Sequence, residues 1–169
     1  NYPPNAAQSS DWNHCNSIFY DEEHDWIILC ANRQDEIWVI DHSTTTAEAA
    51  GHTGGLRGKG GDLLYRWGNP AAWDAGTAAD QQLFFPHAPI RIPAGYPGAG
   101  NVIMFNNQAP GGSTVLELTL PLDGSGNFVP EADGSWGPAA PAWTFQSPML
   151  FQSNIVSNAH RLENGNTLI

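Results

Sequence analysis

Apolar and polar residues alternate in short runs along most of the chain, and no run is long enough for a helix of several turns. The apolar runs are rich in Ile, Val, Trp and Phe, which favour strands, and polar or Gly-rich turns separate them. Only residues 44–50 suggest a helical turn. The pattern predicts an all-β fold with almost no helix. Seven segments carry it: 17–20, 26–30, 36–40, 63–67, 101–105, 114–120 and 141–145.

The strand pattern repeats along the chain. His14, His87 and His160 are spaced 73 residues apart in both intervals, and each precedes a short strand-like stretch, a turn and an apolar strand. A strand bearing a tryptophan follows later, with Trp67 53 residues after His14 and Trp143 56 residues after His87. Four strands followed by a connector is the plan of a propeller blade.

The repeat predicts a β-propeller fragment of about two four-stranded blades and the start of a third. The predicted boundaries are a lead-in at 1–10, blades at 11–80 and 81–152, and the beginning of a blade at 153–169. Since a lone blade leaves hydrophobic faces open, two blades do not make a closed ring. We therefore expect either a truncated chain or a ring completed by a further chain or a homo-oligomer.

The charge of the chain excludes several classes of partner. The net charge is −11 with only six Lys and Arg, whereas binding of nucleic acid or an anionic membrane surface requires clustered cations. No run of 18 apolar residues exists, so no membrane span is predicted. The 18 Gly and 13 Pro suit short strands joined by many turns. The composition is compatible with a secreted protein.

The two cysteines flank the first predicted hairpin. If Tyr20 faces Asp25 across the turn, Cys15 lies opposite Cys30, and a cross-strand disulfide becomes a candidate. A disulfide would favour an oxidising compartment. Two free, buried thiols are the equally weighted alternative. The spacing excludes a CxxC zinc or redox motif.

The repeated histidines are the main candidates for chemistry. In a propeller, residues at the start of the innermost strand of each blade lie at the mouth of the central channel, so His14, His87 and His160 would converge there. Imidazole acts as a nucleophile, acid or base near neutral pH. Asp11 is placed to orient an imidazole, and Asn16 to donate a hydrogen bond to an oxyanion.

The alternative for each histidine is that it only supports the repeat framework. We expect no bound metal and no cofactor.

A glycine-rich loop at residues 54–61 holds two of the six basic residues, Arg57 and Lys59. Such a loop can fold over an anion, using its backbone N–H groups and both cations. It is not a Walker A loop, because the spacing differs and no Ser or Thr follows Lys59. The alternative is a flexible surface connector.

Several stretches resemble the bacterial arylsulfate sulfotransferase family. Residues 11–17, DWNHCNS, are similar to the family's D-W-x-H-x-N-S segment, and residues 162–169, LENGNTLI, are similar to its recurrent P-N-G-N-T-L-I strand. Between them, residues 21–40 and 41–70 follow in the family's order, the latter resembling a marine branch. The resemblance runs over nearly the whole chain.

This resemblance implies a six-bladed, exported propeller, located in the periplasm or outside the cell. It also implies transfer of a sulfuryl group from a phenolic sulfate ester to a phenol through a histidine intermediate, without a nucleotide donor. His14 matches the first channel histidine by its motif. His87 matches a second, although Ala88 stands where the family has Asp. His160 is a third candidate, since the nucleophilic histidine falls later in the family.

The chain departs from the family pattern at a further position. Asn106 and Asn107 match a segment that normally leads to an arginine, and no arginine follows here. Because sulfuryl oxygens need cations or hydrogen-bond donors, Arg57 and Lys59 would have to take over this role. The competing hypothesis is a catalytically inactive propeller that serves as a binding or assembly module in an extracellular complex.

Overall fold

The computed structural model describes residues 10–147, 149 and 151–169; residues 1–9 of the predicted lead-in lie outside the described residues. The described part consists of antiparallel strands with very little helix, which confirms the all-β prediction. No helix in the described part is long and apolar enough to cross a membrane. The predicted boundaries of the lead-in and the three blades stay predictions.

Two four-stranded sheets follow one another along the chain, each with its strands in sequence order. Sheet 1 contains β1 (Cys15–Asp21), β2 (Trp26–Ala31), β3 (Glu36–Asp41) and β4 (Tyr65–Trp67). Sheet 2 contains β5 (Pro86–Arg91), β6 (Val102–Asn106), β7 (Thr114–Leu118) and β8 (Trp143–Phe145). A two-stranded sheet 3 pairs β9 (His160–Arg161) with β10 (Thr167–Leu168). This arrangement is compatible with consecutive propeller blades.

The helical content is confined to single turns. The predicted turn at 44–50 is the helix α1 (Thr46–Ala49), which begins with a capping box between Thr45 and Glu48. Three 3₁₀ turns lie in connectors, at Asn32–Gln34, Pro70–Trp73 and Ala78–Asp80. All seven strands predicted from the sequence overlap an observed strand.

Sheets 1 and 2 pack face to face, and apolar side chains from both fill the space between them. Trp26, Ile28 and Val39 from sheet 1 belong to the same buried cluster as Met104 and Leu118 from sheet 2. The opposite face of sheet 2 is covered by a second cluster that includes Phe151 and Ala159. Covering on both faces explains why every residue of β6 and β7 is buried.

The first hairpin corrects the predicted register of the cysteines. A bulge between Cys15 and Ser17 places Cys15 opposite Ala31 and Ser17 opposite Cys30. The prediction that Cys15 faces Cys30 is therefore wrong, because a bulge shifts all pairing beyond it. Both residues are free thiols, exposed at Cys15 and buried at Cys30. The structure thus shows two free thiols rather than the disulfide, and only Cys30 is buried as the alternative expected.

Candidate functional site

The beginnings of β1 and β5 lie side by side, and one carbonyl joins them. The backbone oxygen of Pro86 accepts hydrogen bonds from Asn16 Nδ2 at 3.0 Å, from Asn32 Nδ2 at 2.9 Å and from Cys30 Sγ at 3.0 Å. Burial raises the pKa of the Cys30 thiol, which therefore stays protonated as a donor. We call this part of the molecule the histidine end, because it carries His14 beside β1 and His87 on β5.

His14 lies exposed at the histidine end, immediately before β1, and its ring is held by a carboxylate. Its Nδ1 donates a hydrogen bond to Asp11, and this bond lowers the pKa of the Asp11 carboxyl below its ordinary value. A proton on Nδ1 leaves the lone pair on Nε2, the arrangement found in Asp–His catalytic pairs. His14 has a φ of 44°, a left-handed conformation that is uncommon for a residue other than glycine.

His87 lies on β5, and both of its ring nitrogens have partners. Nδ1 lies 2.7 Å from Asn107 Oδ1, and Nε2 accepts a hydrogen bond of 3.2 Å from the backbone N–H of Val156. Asn107 is fully buried, and its Nδ2 donates to the carbonyls of Ser153 and Val156. His87 and Asn107 therefore tie sheet 2 to the segment that leads into sheet 3.

His160 is the first residue of β9, where it pairs with Leu168 and is exposed. All three histidines thus occur at the start of the first strand of their sheet. The described part of the chain contains no hydrogen bond between any two of these imidazoles. The structure brings His14 and His87 to one end of adjacent strands and keeps each with its own partner.

Asn16 supports the junction of the two sheets. One N–H of its side chain is used by Pro86, and its Oδ1 accepts a hydrogen bond of 3.3 Å from Ser17 Oγ. Ser17 Oγ in turn accepts a bond of 3.1 Å from the backbone N–H of Ala88. The observed role of Asn16 is to hold β5 against β1.

Arg57 and Lys59 lie far from the histidine end. They share a cavity with Trp26, and Trp26 pairs with Asp21, the last residue of β1. His14 stands immediately before the other end of that strand. A seven-residue strand spans about 20 Å, so the structure does not bring Arg57 or Lys59 together with His14.

A comparison with models of protein families tests the resemblance noted above. The model of the family described as arylsulfotransferase (ASST) matches residues 2–169. The chain belongs to the arylsulfotransferase family. No curated protein and no solved structure gave a significant match.

A cation that sequence reasoning missed lies at the histidine end. Arg33 sits in the 3₁₀ turn between β2 and β3, and its backbone N–H donates to the carbonyl of Asn13 at 3.2 Å. Its positive charge contributes to the lowered pKa of Asp11. The register offered a signal, because the β2–β3 turn must lie beside the start of β1 in an antiparallel meander.

A cluster of two carboxylates and a histidine was also missed from sequence. Asp21, Glu23 and His24 present their ligand atoms within 4.8 Å of one another, close enough to hold a metal ion. Arg91 already pairs with this cluster, at 3.1 Å from Asp21 and 3.7 Å from Glu23. His24 also stacks on Trp26, with ring centroids 4.2 Å apart. These contacts suit a structural ion-pair cluster better than a metal centre.

Proposed function

We propose that this arylsulfotransferase transfers a sulfuryl group from a phenolic sulfate ester to a phenolic acceptor through a histidine intermediate. The observation that carries the proposal is the His14–Asp11 pair, an exposed and oriented imidazole in a chain that matches the family model from residue 2 to 169. His14 is the acid–base group. His160, which occupies the matching position in sheet 3, is the candidate nucleophile within the described chain.

The chemistry proceeds in two displacements at sulfur. In the first, a histidine nitrogen attacks the sulfur, the bond from sulfur to the phenolic oxygen breaks, and the released phenolate takes a proton from the acid. In the second, the base takes the proton of the acceptor phenol, whose oxygen attacks the sulfur and releases the histidine. Nε2 of His14 suits this alternating role, because Asp11 stabilises the imidazolium formed when Nε2 gains a proton.

Charge on the three non-bridging sulfuryl oxygens requires a cation or donors near the reacting sulfur. Arg33 is the candidate at the histidine end. Its charge already acts on the Asp11 carboxyl, which places it at the same end as the His14–Asp11 pair. Arg57 and Lys59 lie at the opposite end of β1 and therefore cannot reach a sulfuryl group bound beside His14 of the same chain.

The deciding experiment compares His14→Ala with His42→Ala. His42 is a matched control, because its exposed ring also binds a carboxylate, with Nδ1 2.6 Å from Asp25 Oδ1. The measurement is release of nitrophenol from nitrophenyl sulfate, with and without an added phenol, on the full-length protein. We expect acceptor-dependent release that His14→Ala abolishes and His42→Ala keeps. Absence of release from folded, full-length protein overturns the proposal.

One observation favours a second function, a binding or assembly module without catalysis. His87 has no free nitrogen, since Asn107 and the Val156 N–H occupy both. A structural histidine predicts that His87→Ala lowers the free energy of unfolding. If His14→Ala also lowers stability and the native protein shows no turnover, the module is the better account.

We also propose that the protein is exported to the periplasm or beyond the cell, and that its ring is completed by further blades or by another chain. The family membership supports both proposals. Cell fractionation tests the location, and the molar mass in solution tests the assembly. A cytoplasmic protein that is monomeric at the mass of two blades would contradict both.

A further inference from the structure

A cavity of about 300 Å³ lies at the end of sheet 1 opposite the histidines. One wall comes from sheet 1 and its glycine-rich loop, and the other from the connector between β7 and β8. Aromatic and apolar side chains line most of it, and two cations face the same space. The residues used below are Trp26, Arg57, Lys59, Asn127, Phe128 and Trp136.

Neither of these two cations forms a close ion pair with a carboxylate of the described chain. Three of the six Lys and Arg side chains form close ion pairs: Arg66 with Glu36, Arg91 with Asp21, and Arg161 with Glu117. Within the part of the chain that the structure describes, neither Arg57 nor Lys59 forms one. In a chain with 17 acidic residues, two unpaired cations at one cavity mark a site for an anion.

The Arg57 side chain is positioned by neutral groups. Its Nη1 donates to Asn127 Oδ1 at 3.3 Å, its Nη2 donates to the carbonyl of His24 at 3.4 Å, and its guanidinium lies 5.5 Å from the centre of the Trp26 ring. Its Nε is buried without a hydrogen-bond partner among the described atoms. The guanidinium is therefore held at the cavity by neutral partners, and none of the contacts that orient it is with a carboxylate.

A glycine in the left-handed conformation and a carboxylate fix the loop that carries the two cations. Gly55 has a φ of 70°, and a Cβ there would lie 2.5 Å from Asp41 Oδ2. That same oxygen accepts the backbone N–H of Arg57 at 3.0 Å. Only glycine fits at residue 55, and its presence lets Asp41 fix the loop. This is an anchored loop rather than the flexible connector considered from the sequence.

The facing wall is aromatic and also anchored. Phe128 stacks on Tyr65 with ring centroids 4.7 Å apart, and its ring lies 4.8 Å from that of Trp26. The turn before it is fixed by Asp123, whose Oδ1 accepts the N–H groups of Ser125 and Asn127. Aromatic walls with a few charged groups are typical of sites for small ring-containing ligands.

We infer that this cavity binds a small aromatic anion, a one- or two-ring compound with a sulfate, sulfonate or carboxylate group. The ring lies against Phe128 and Trp136, and the anionic group lies between Arg57 and Lys59. The site is separate from the histidine end, and both of its walls belong to the described chain. It does not depend on the proposed sulfuryl transfer.

The test is calorimetric titration of the full-length protein with 2-naphthalenesulfonate, which cannot donate a sulfuryl group to oxygen. We expect the double variant Arg57→Gln, Lys59→Gln to weaken binding about tenfold or more, and neutral 2-naphthol to bind much more weakly than the sulfonate. Lys59→Gln alone, at an exposed residue, should weaken binding about threefold without affecting the fold. Arg33→Gln removes the cation proposed for the histidine end and therefore reports whether the probe binds there as well. His52→Ala, at an exposed residue beside the same loop, is the matched control.

Two results would overturn the inference. Unchanged affinity in both the double variant and Lys59→Gln means that the cations do not bind the probe. Loss of binding in Arg33→Gln with full binding in the double variant places the probe at the histidine end instead. Either result leaves the test of acceptor-dependent transfer untouched, so the two proposals fail separately.

Discussion

The two ends of sheet 1 differ in the contacts that stabilise them and in the chemical groups that they present to solvent or to a cavity. At the histidine end, neutral side chains converge on the Pro86 carbonyl, an imidazole and a carboxylate are exposed, and Arg33 is half-buried beside them. At the other end, aromatic rings stack and two cations border a cavity. The proposed acid–base group and the proposed anion site are therefore separated by about the length of β1.

The two histidines at one end also differ from each other. His14 is exposed and bound through Nδ1 to a carboxylate, whereas His87 is bound through both nitrogens to an amide and a backbone N–H. Equivalent positions in a repeat therefore do not imply equivalent chemistry. Proton transfer needs a free lone pair, and only the first of these two rings is arranged to provide it.

The largest effect that we expect comes from removing the imidazole of His14. His14→Ala should lower acceptor-dependent turnover about 10²–10⁴-fold, because it removes the acid–base group. Its melting temperature should change little, since the ring is exposed. Initial rates and thermal unfolding measure both. Comparable losses in Arg57→Gln would break the contrast between the two ends.

A smaller loss of rate is expected from Arg33→Gln. Removing one group that stabilises charge on a transferring group costs about 10²-fold in turnover. Initial rates of Arg33→Gln against Lys59→Gln measure this loss. Unchanged rates in both variants would leave Arg33 without a role in the site.

Asn32→Ala should affect stability at the histidine end. Its buried amide donates to Pro86 at 2.9 Å, so its loss should cost about 1–3 kcal/mol in the free energy of unfolding. Asn127→Ala is the control at the cavity end, where the bond to Arg57 is longer and exposed, and it should cost under about 1 kcal/mol. Urea unfolding of both variants gives the comparison. Equal losses in the free energy of unfolding would show that the two ends of sheet 1 do not differ in how strongly neutral hydrogen bonds stabilise them.

The smallest expected effect is a dependence of stability on pH at the histidine end. Burial raises the pKa of Asp35 to about 6, and the nearby Glu36 adds to the increase, although the N–H of Phe85 and the amide of Gln81 oppose it. The folded state therefore binds the proton more tightly than the unfolded chain. The resulting stability is fully present below about pH 4 and is lost as the pH rises through about 6.

Asp35→Asn should remove this dependence, which amounts to about 2 kcal/mol between pH 4 and 7. Unfolding of the wild type and the variant at several pH values measures it, and Asp123→Asn at the exposed turn is the control. A wild-type protein whose stability rises over this range, with no change in Asp35→Asn, would contradict the expectation.

The strands, the short helix and the repeat of histidines could be predicted because each depends on neighbours in the sequence. Alternation of apolar residues sets strands such as β2 and β3 locally, and a capping box does the same for α1. The family motifs at residues 11–17 and 162–169 are local too. The chain thus determined its fold class, its family and His14 as a candidate.

The partners of the candidate residues depended on the path of the backbone through space. One bulge moved Cys15 away from Cys30, and the course of the loop at 54–61 carried Arg57 to the end opposite His14. The packing of sheets placed Arg33 beside Asp11 and gave both nitrogens of His87 their partners. Such contacts join residues far apart in the sequence, and only the tertiary structure decided them, because no local pattern records where distant segments meet.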